Sequence, residues 1–525
     1  MLTNTLTNST FGIFQSLTIK MRQVLIVYFF FISIVASLAA ENQNQEILVS
    51  TIAELNSAIL QAKPGARIIL KDGIWKNTAI NFNSTATVSA YITLCAQTPG
   101  KVILSGNSTL IFSAPYLVVD GFVFRNGSID GGSVITFNSD NCRLSNTVIK
   151  DFNPSNFQTA YYWVYFQGSY NRMDHCLFKG KSNMNPVVQN FEENARYNKV
   201  DSCIVKDIPY VKHANGREIF RIFGYGHADQ PGDDGAYFTI EYNLFDHADG
   251  EGTEIISLKS NNNIVRYNTV IASRGGLVGR RGKNNIFEGN FIFGQGQAGT
   301  TGIRVAGSNH RVINNYISDV TEDGLRLITG EYYEKSLTSN FAPKKKELPK
   351  YLQVKDGYFA HNTIVNCTGN GIDIGFAYEN HWPNLQMILL PENNKFVNNV
   401  VFNCTGNSII EAVQDKNPPL DVFSFKPNIF EGNISWGSKT SGLGATKGIK
   451  MINPKFTFSK DGFLRPDKNS PLINGGVNSD LTTDMDGQKR DDLKDIGADE
   501  LADSPIIHHP LNSKEIGPKW LIIKK

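Results

Sequence analysis

The stretch Phe238–Gly296, FTIEYNLFDHADGEGTEIISLKSNNNIVRYNTVIASRGGLVGRRGKNNIFEGNFIFGQG, decides how the chain folds. Two patterns are superposed in it. One repeats: short apolar runs punctuated by asparagine, as in Asn243-Leu-Phe, Asn268-Thr-Val and Asn290-Phe-Ile. The other does not: acids at Asp249, Glu251 and Glu254, then Lys259, then Arg280-Arg281. A repeating scaffold that carries unrepeated charges is how a solenoid displays a site.

Outward from this stretch the same phrase returns. Arg143-Leu-Ser-Asn-Thr-Val-Ile and Lys199-Val-Asp-Ser-Cys-Ile-Val precede it, and Val312-Ile-Asn-Asn-Tyr-Ile and Phe396-Val-Asn-Asn-Val-Val-Phe follow. Asn243, Asn268, Asn290 and Asn315 are spaced by 25, 22 and 25 residues. Asn362-Thr-Ile-Val-Asn-Cys-Thr-Gly-Asn is copied at Asn399-Val-Val-Phe-Asn-Cys-Thr-Gly-Asn. Short strands recurring at such a period predict an all-β parallel β-helix, a single-stranded solenoid. Asparagine suits it twice. It tolerates left-handed backbone at tight corners. Stacked in register, its amide can also bond to the next one and form a ladder.

Upstream, Ser50–Ala62 has helical spacing, with Ser50 or Thr51 as N-cap and Leu55, Ile59 and Leu60 on the apolar face. Pro64-Gly65 ends it. A short helix here caps the open end of the first coil. Further upstream, Met21-Arg22 begins a basic region, and Val24–Leu38 is apolar and short for a membrane span. Ala39-Ala40 offers a cleavage site. This is the pattern of a secretory signal peptide, with Met1 or Met21 as start. The expected divisions are residues 1–40 for the leader, 41–500 for the β-helix and 501–525 for a C-terminal tail. The mature chain is expected to be secreted or periplasmic and free of the membrane.

Composition narrows the function. A net charge of +2 over 525 residues argues against nucleic-acid binding. The six cysteines form no CxxC pair, which argues against a zinc site, and they read as small core residues. Two excursions leave the repeat, Gly330–Tyr358 with its lysine run and Phe376–Asn394 with His381-Trp382-Pro383. Long loops on a regular scaffold line grooves. After Lys455 the pattern becomes loop-like, through Asp484-Met-Asp-Gly and Asp495-Ile-Gly-Ala-Asp-Glu, and reads as a tail closing the far end.

Lys259 and Arg280 are 21 residues apart, close to one coil, so the two are expected to stack on one face. A lysine held among arginines is disfavoured in its charged form, which suits a base. Arg280-Arg281 can bind a carboxylate. Asp249, Glu251 and Glu254, with Asn215 on an earlier coil, fit a calcium ion. They fit equally an acid-rich turn neutralised by its neighbours, or a hydrolase carboxylate pair. Arg304 and Arg326 recur 22 residues apart and extend a basic stripe. Tyr332, Tyr333 and Trp382 can stack on sugar rings. Asp233-Asp234 is a weaker hydrolase pair.

The blocks Asn215-Gly-Arg-Glu-Ile-Phe-Arg221, Asp249–Ser260 and Arg280-Arg281-Gly resemble polysaccharide lyase family 6, which holds alginate lyases and chondroitinase B. The resemblance runs from the Ser50 helix to the Asp495 tail. It implies a right-handed parallel β-helix and β-elimination of uronate polymers. It implies Lys259 as base, Arg280 as acid and Arg281 where the family often has histidine. Arg221, Arg281, Arg304, Arg326 and Tyr332 are then expected to bind an anionic polysaccharide. Asn215, Glu251 and Glu254 are expected to hold calcium. The chain departs from the family's Glu-x-Glu, because Glu251-Gly-Thr-Glu254 has one residue more. Residues three apart in a strand face opposite ways. A bulge restores the geometry; without one, Lys212, His213 or Arg217 is the substitute cation. The expected activity is an alginate lyase acting as monomer or dimer. The alternatives are a chondroitin or dermatan sulfate lyase, a non-catalytic polysaccharide-binding β-helix, or a glycoside hydrolase.

Overall fold

The computed structural model describes residues 45–191, 195–226, 232–332, 350–378, 381–382, 385–413, 426–439 and 448–522. The leader and most of the lysine-rich excursion, with Tyr333, lie outside them. Three long parallel sheets of 14, 14 and 12 strands wrap a common core. Each full coil contributes one short strand to each sheet, which makes the protein a parallel β-helix as the repeat predicts. Register is kept from coil to coil: Thr239–Glu241 pairs with Ile264–Arg266, and that with Ile286–Glu288.

The core is built by stacking like on like. The rings of Phe112, Phe137 and Phe166 lie in successive coils at 4.6 and 4.5 Å, nearly parallel. All six cysteines are buried free thiols, as the sequence indicates. At the entry end, Thr51 caps the helix Ile52–Gln61 by accepting from the Glu54 amide. Leu55, Ala58 and Ile59 face the core, whereas Leu60, expected on that face, is exposed.

The asparagine ladder is longer than its first four members. Side-chain amides run from Asn243 to Asn268, Asn290, Asn315, Asn362, Asn399 and Asn433, each Nδ2 donating to the next Oδ1 at 2.9–3.0 Å. Each Oδ1 also accepts the main-chain N–H of the asparagine before it, as Asn315 does from Asn290 at 3.0 Å. The corner itself is turned by the residue just ahead. Tyr242, Tyr267, Asn314, His361 and Asn398 have φ between 52° and 55°, while the ladder asparagines do not share this conformation. The left-handed role and the ladder role thus fall on adjacent residues. Asn315→Ala orphans the Asn290 amide groups, at about 1–3 kcal/mol for each buried group left unpaired. Denaturant unfolding is expected to show this loss.

The tail does more than close the far end. It returns along the flank of the coils. Leu464 N–H donates to the Tyr316 hydroxyl, Ala498 N–H to Thr363, and Leu511 N–H to Thr269. Trp520 finally donates to the Asn146 carbonyl and packs beside Gly100.

The 12-stranded sheet positions the site. Its central strands are Val188–Asn190, Phe220–Phe223, Glu254–Lys259, Gly275–Arg281, Thr300–Val305, Leu325–Ile328 and Ile372–Phe376. Beside it, Gly330–Tyr332, Leu385–Leu389 and His381–Trp382 form a small antiparallel sheet from the two excursions.

Candidate active site

Lys259 ends its strand on the outer face, with its side chain 16% exposed. Its Nζ lies 2.6 Å from Glu218 Oε1 and over the Phe223 ring. The arginines expected beside it are joined by a carboxylate, which is its immediate partner. Glu218 Oε2 is 3.2 Å from Arg221 Nη1, and Arg221 Nε donates to Gln189 Oε1 at 2.6 Å. Glu218 lies in the quoted Asn215–Arg221 block but was not singled out as a site residue.

The strand pairing also changes the neighbour of Lys259. A register shift after Leu258 sets Lys259 opposite Arg281, not Arg280. Arg280 is the extra residue of this bulge, and it reaches the site differently. Its Nε is 3.6 Å from Glu254 Oε1, its Nη1 donates to the Lys350 carbonyl at 2.7 Å, and it lies over the Tyr351 ring at 3.6 Å. The first excursion thus supplies a wall of the site, as long loops were expected to. Burial, then the charge of Arg280, lowers Arg281 to about 10.

Glu254 is the hub. Its Oε1 pairs with Arg304 and Arg280, and its Oε2 accepts from the Ser257 hydroxyl. Burial works to raise this carboxyl, but the charges of Arg304, Lys259 and Arg280 outweigh it and hold the group below its ordinary range. Glu251 accepts from the Gly216 N–H at 2.8 Å and the Thr253 hydroxyl at 2.7 Å. Burial, then the Glu218 charge, raises it.

The extra residue in Glu251-Gly-Thr-Glu254 does not separate the acids. The strand begins only at Glu254, and Gly252 turns at φ 82° with no room for a Cβ against Tyr210. Strand alternation does not apply across a turn. One carboxylate oxygen each from Glu218, Glu251 and Glu254 lie within 4.8 Å of one another. Asn215, expected as a ligand, is exposed in the preceding turn, and Glu218 supplies the third carboxylate of the cluster.

Other expected residues are placed as follows. Arg304 and Arg326 stack in register, but each is already paired, Arg304 with Glu254 and Arg326 with Asp323 at 2.8 Å. Next in that column is Asp373, raised to about 6 by burial and by the Asp323 charge. Tyr332 is buried in the antiparallel sheet and offers no open face for a sugar. Arg217 is buried too. Its guanidinium donates to the carbonyls of Asn183, Pro209, Gly250 and Lys181, so it does not serve as a substitute cation for a ligand. Lys212 and His213 are exposed. Asp233 and Asp234 are ion-paired with Lys283 and Arg196.

A lysine, arginines and a carboxylate cluster thus meet on the outer face of a parallel β-helix, and comparison gives the class of protein. The chain belongs to the chondroitinase B family, whose model matches residues 49–461, and is a family 6 polysaccharide lyase. It is 49% identical to a family 6 polysaccharide lyase from Pseudopedobacter saltans, over 78% of this chain and 96% of that one, with a TM-score of 0.71. It is 27% identical to the family 6 alginate lyase AlyGC, covering 86% of this chain but 57% of that one, TM-score 0.68. A mannuronic acid specific family 6 lyase from human gut microbiota is also 27% identical, over 78% of this chain and 91% of that one, TM-score 0.65. Among curated proteins none matches the chain.

Proposed function

We propose that the protein is a secreted or periplasmic alginate lyase that cleaves by β-elimination. The observation that carries this reading is the placement of Lys259 and Arg280 on one carboxylate cluster, Lys259 against Glu218 and Arg280 against Glu254, in a family whose solved relatives include an alginate lyase and a mannuronic acid specific lyase. The apolar Val24–Leu38 run with Ala39-Ala40 supports export.

The chemistry asks for three groups. The C5 proton of a uronate is weakly acidic because it is α to a carboxylate. Lys259 Nζ is the base that takes it. The C5–H electrons form the C4=C5 double bond, the C4–O4 bond breaks, and Arg280 delivers a proton to O4. Arg281, beside Lys259, contributes positive charge where the carboxylate of the reacting sugar lies. The developing enolate carries two negative charges, so its carboxylate needs a further cation.

Glu218, Glu251 and Glu254 fit a calcium-type ion, being three converging hard oxygen donors. Bound there, such an ion withdraws charge from the substrate carboxylate. A second source is favoured by one observation: all six oxygens of these acids already have partners, among them Lys259, Arg221, Arg280 and Arg304. On that reading the arginines neutralise the substrate themselves.

Two measurements test these readings. Alginate is expected to give a product with the ultraviolet absorbance of a C4=C5 uronate. No such product from alginate, with product from chondroitin or dermatan sulfate, assigns the sulfated substrate instead. With calcium as the cation, chelation by EDTA abolishes turnover and added calcium restores it. Full activity in EDTA assigns the role to the arginines.

A further inference from the structure

A second cluster of acids lies in the returning tail. Asp484-Met-Asp-Gly and Asp495-Ile-Gly-Ala-Asp-Glu meet there. Asp484 Oδ1 accepts the N–H groups of Asp486 and Gln488, at 3.0 and 2.7 Å, and its Oδ2 accepts that of Glu500 at 3.0 Å. One carboxylate thus sews the two segments together. Carboxylate oxygens of Asp484, Asp486 and Asp499 lie within 4.8 Å of one another.

Asp486 has no solvent exposure, and its Oδ1 has no partner at all. Its Oδ2 lies 2.6 Å from Arg465 Nη1, in an ion pair without an aligned hydrogen bond. Arg465 is shared: it also holds Asp499 at 2.5 Å and Asp461 at 2.7 Å. Arg490, the other guanidinium here, pairs with Glu500 at 2.9 Å and donates to four main-chain carbonyls. Six carboxylates, those of Asp461, Asp484, Asp486, Asp495, Asp499 and Glu500, therefore share two arginines. A buried carboxylate with a bare oxygen, sharing its one arginine with two other acids in a surplus of negative charge, calls for a further cation.

We propose that Asp484, Asp486 and Asp499 form a divalent-cation site of the calcium type, which fastens the tail to the flank of the coil. The donors are all oxygens, and Arg465 keeps Asp461 as its own partner when an ion is held by the other three. The fastening follows from the neighbours. The main-chain oxygen of Asp486 accepts from Ile507 and His508, so the segment leading to Leu511 hangs from the same loop.

The test uses the whole chain carrying Glu251→Gln, which weakens the acid cluster of the lyase face. After EDTA treatment and desalting, calcium chloride is titrated calorimetrically, and thermal unfolding is followed with calcium and with EDTA. The expected result is one calcium per chain and a rise in Tm of a few degrees, since an ion bound only by the folded state stabilises it. Adding Asp486→Asn removes both signals; Asp499→Asn does the same and serves if the first variant does not fold. Limited proteolysis gives an independent readout, with cleavage after Lys514 or Lys519 slowed by calcium only when both aspartates are present. No calcium bound by the Glu251→Gln chain overturns the proposal, and so does an unchanged calcium response in either folded aspartate variant.

Discussion

Lys259→Ala is expected to lower the rate of unsaturated product formation by about 10²–10⁴-fold, the usual contribution of a positioned proton acceptor. The fold should be unaffected, because Glu218, which loses its lysine partner, keeps Arg221 at 3.2 Å. Lys259→Arg separates the roles. It restores a cation beside Glu218 but cannot be deprotonated. If Lys259 matters as a base, the arginine variant is as inactive as the alanine one, with the same unfolding midpoint as the wild type. If it matters only as an ion pair, the arginine variant recovers turnover. Product absorbance and a denaturant curve on the same samples decide between the two.

Glu254→Gln should cost stability as well as activity. Glu254 is 5% exposed and compensates two arginines, Arg280 and Arg304, from two different coils. Removing the charged partner of a buried ion pair costs about 3–5 kcal/mol. The pH dependence has a definite sign. The folded-state carboxyl is held below its ordinary value of 4.5, so the unfolded chain takes up its proton first as pH falls. The stabilisation is present above that ordinary value and is lost as pH falls through the folded one. The stability gap between wild type and Glu254→Gln is therefore widest near neutrality and narrows in acid. A gap that stays constant from neutral pH to pH near 4 would show that Glu254 acts by shape alone.

Much of this was legible in the chain. The asparagine period is a backbone signal, and it gave the coil and the ladder because every coil must turn the same corners. Lys259, Arg280 and the acids stood out because charge is rare on such a scaffold. What stayed hidden depends on register. Glu218 is one coil ahead of Glu254, but Phe220 and its strand partner Ile256 are 36 residues apart, so the period of the other coils does not bring them together. Arg281, not Arg280, faces Lys259 because of a bulge, and a count of residues passes through a bulge unseen. Tyr332 looked like a surface aromatic since its strand partner, Gln386, comes from the other excursion. Asn215 follows the family motif, while Glu218, which joins Glu251 and Glu254, carries no motif signal of its own.

The returning tail changes how the molecule can come apart. A stack of coils in which each touches only its neighbours is a linear chain of couplings, and its ends can peel away while the middle holds. Here one strip of polypeptide is laid across the joints, bonded in turn to Tyr316, Thr363, Thr269 and Asn146. It acts as a splint. To release an interior coil, the strip must also detach from coils on either side, so partial openings become expensive relative to complete unfolding. The lyase face sits in the splinted span, and its register, on which every charge contact of the site depends, is held by a segment that touches none of the site residues.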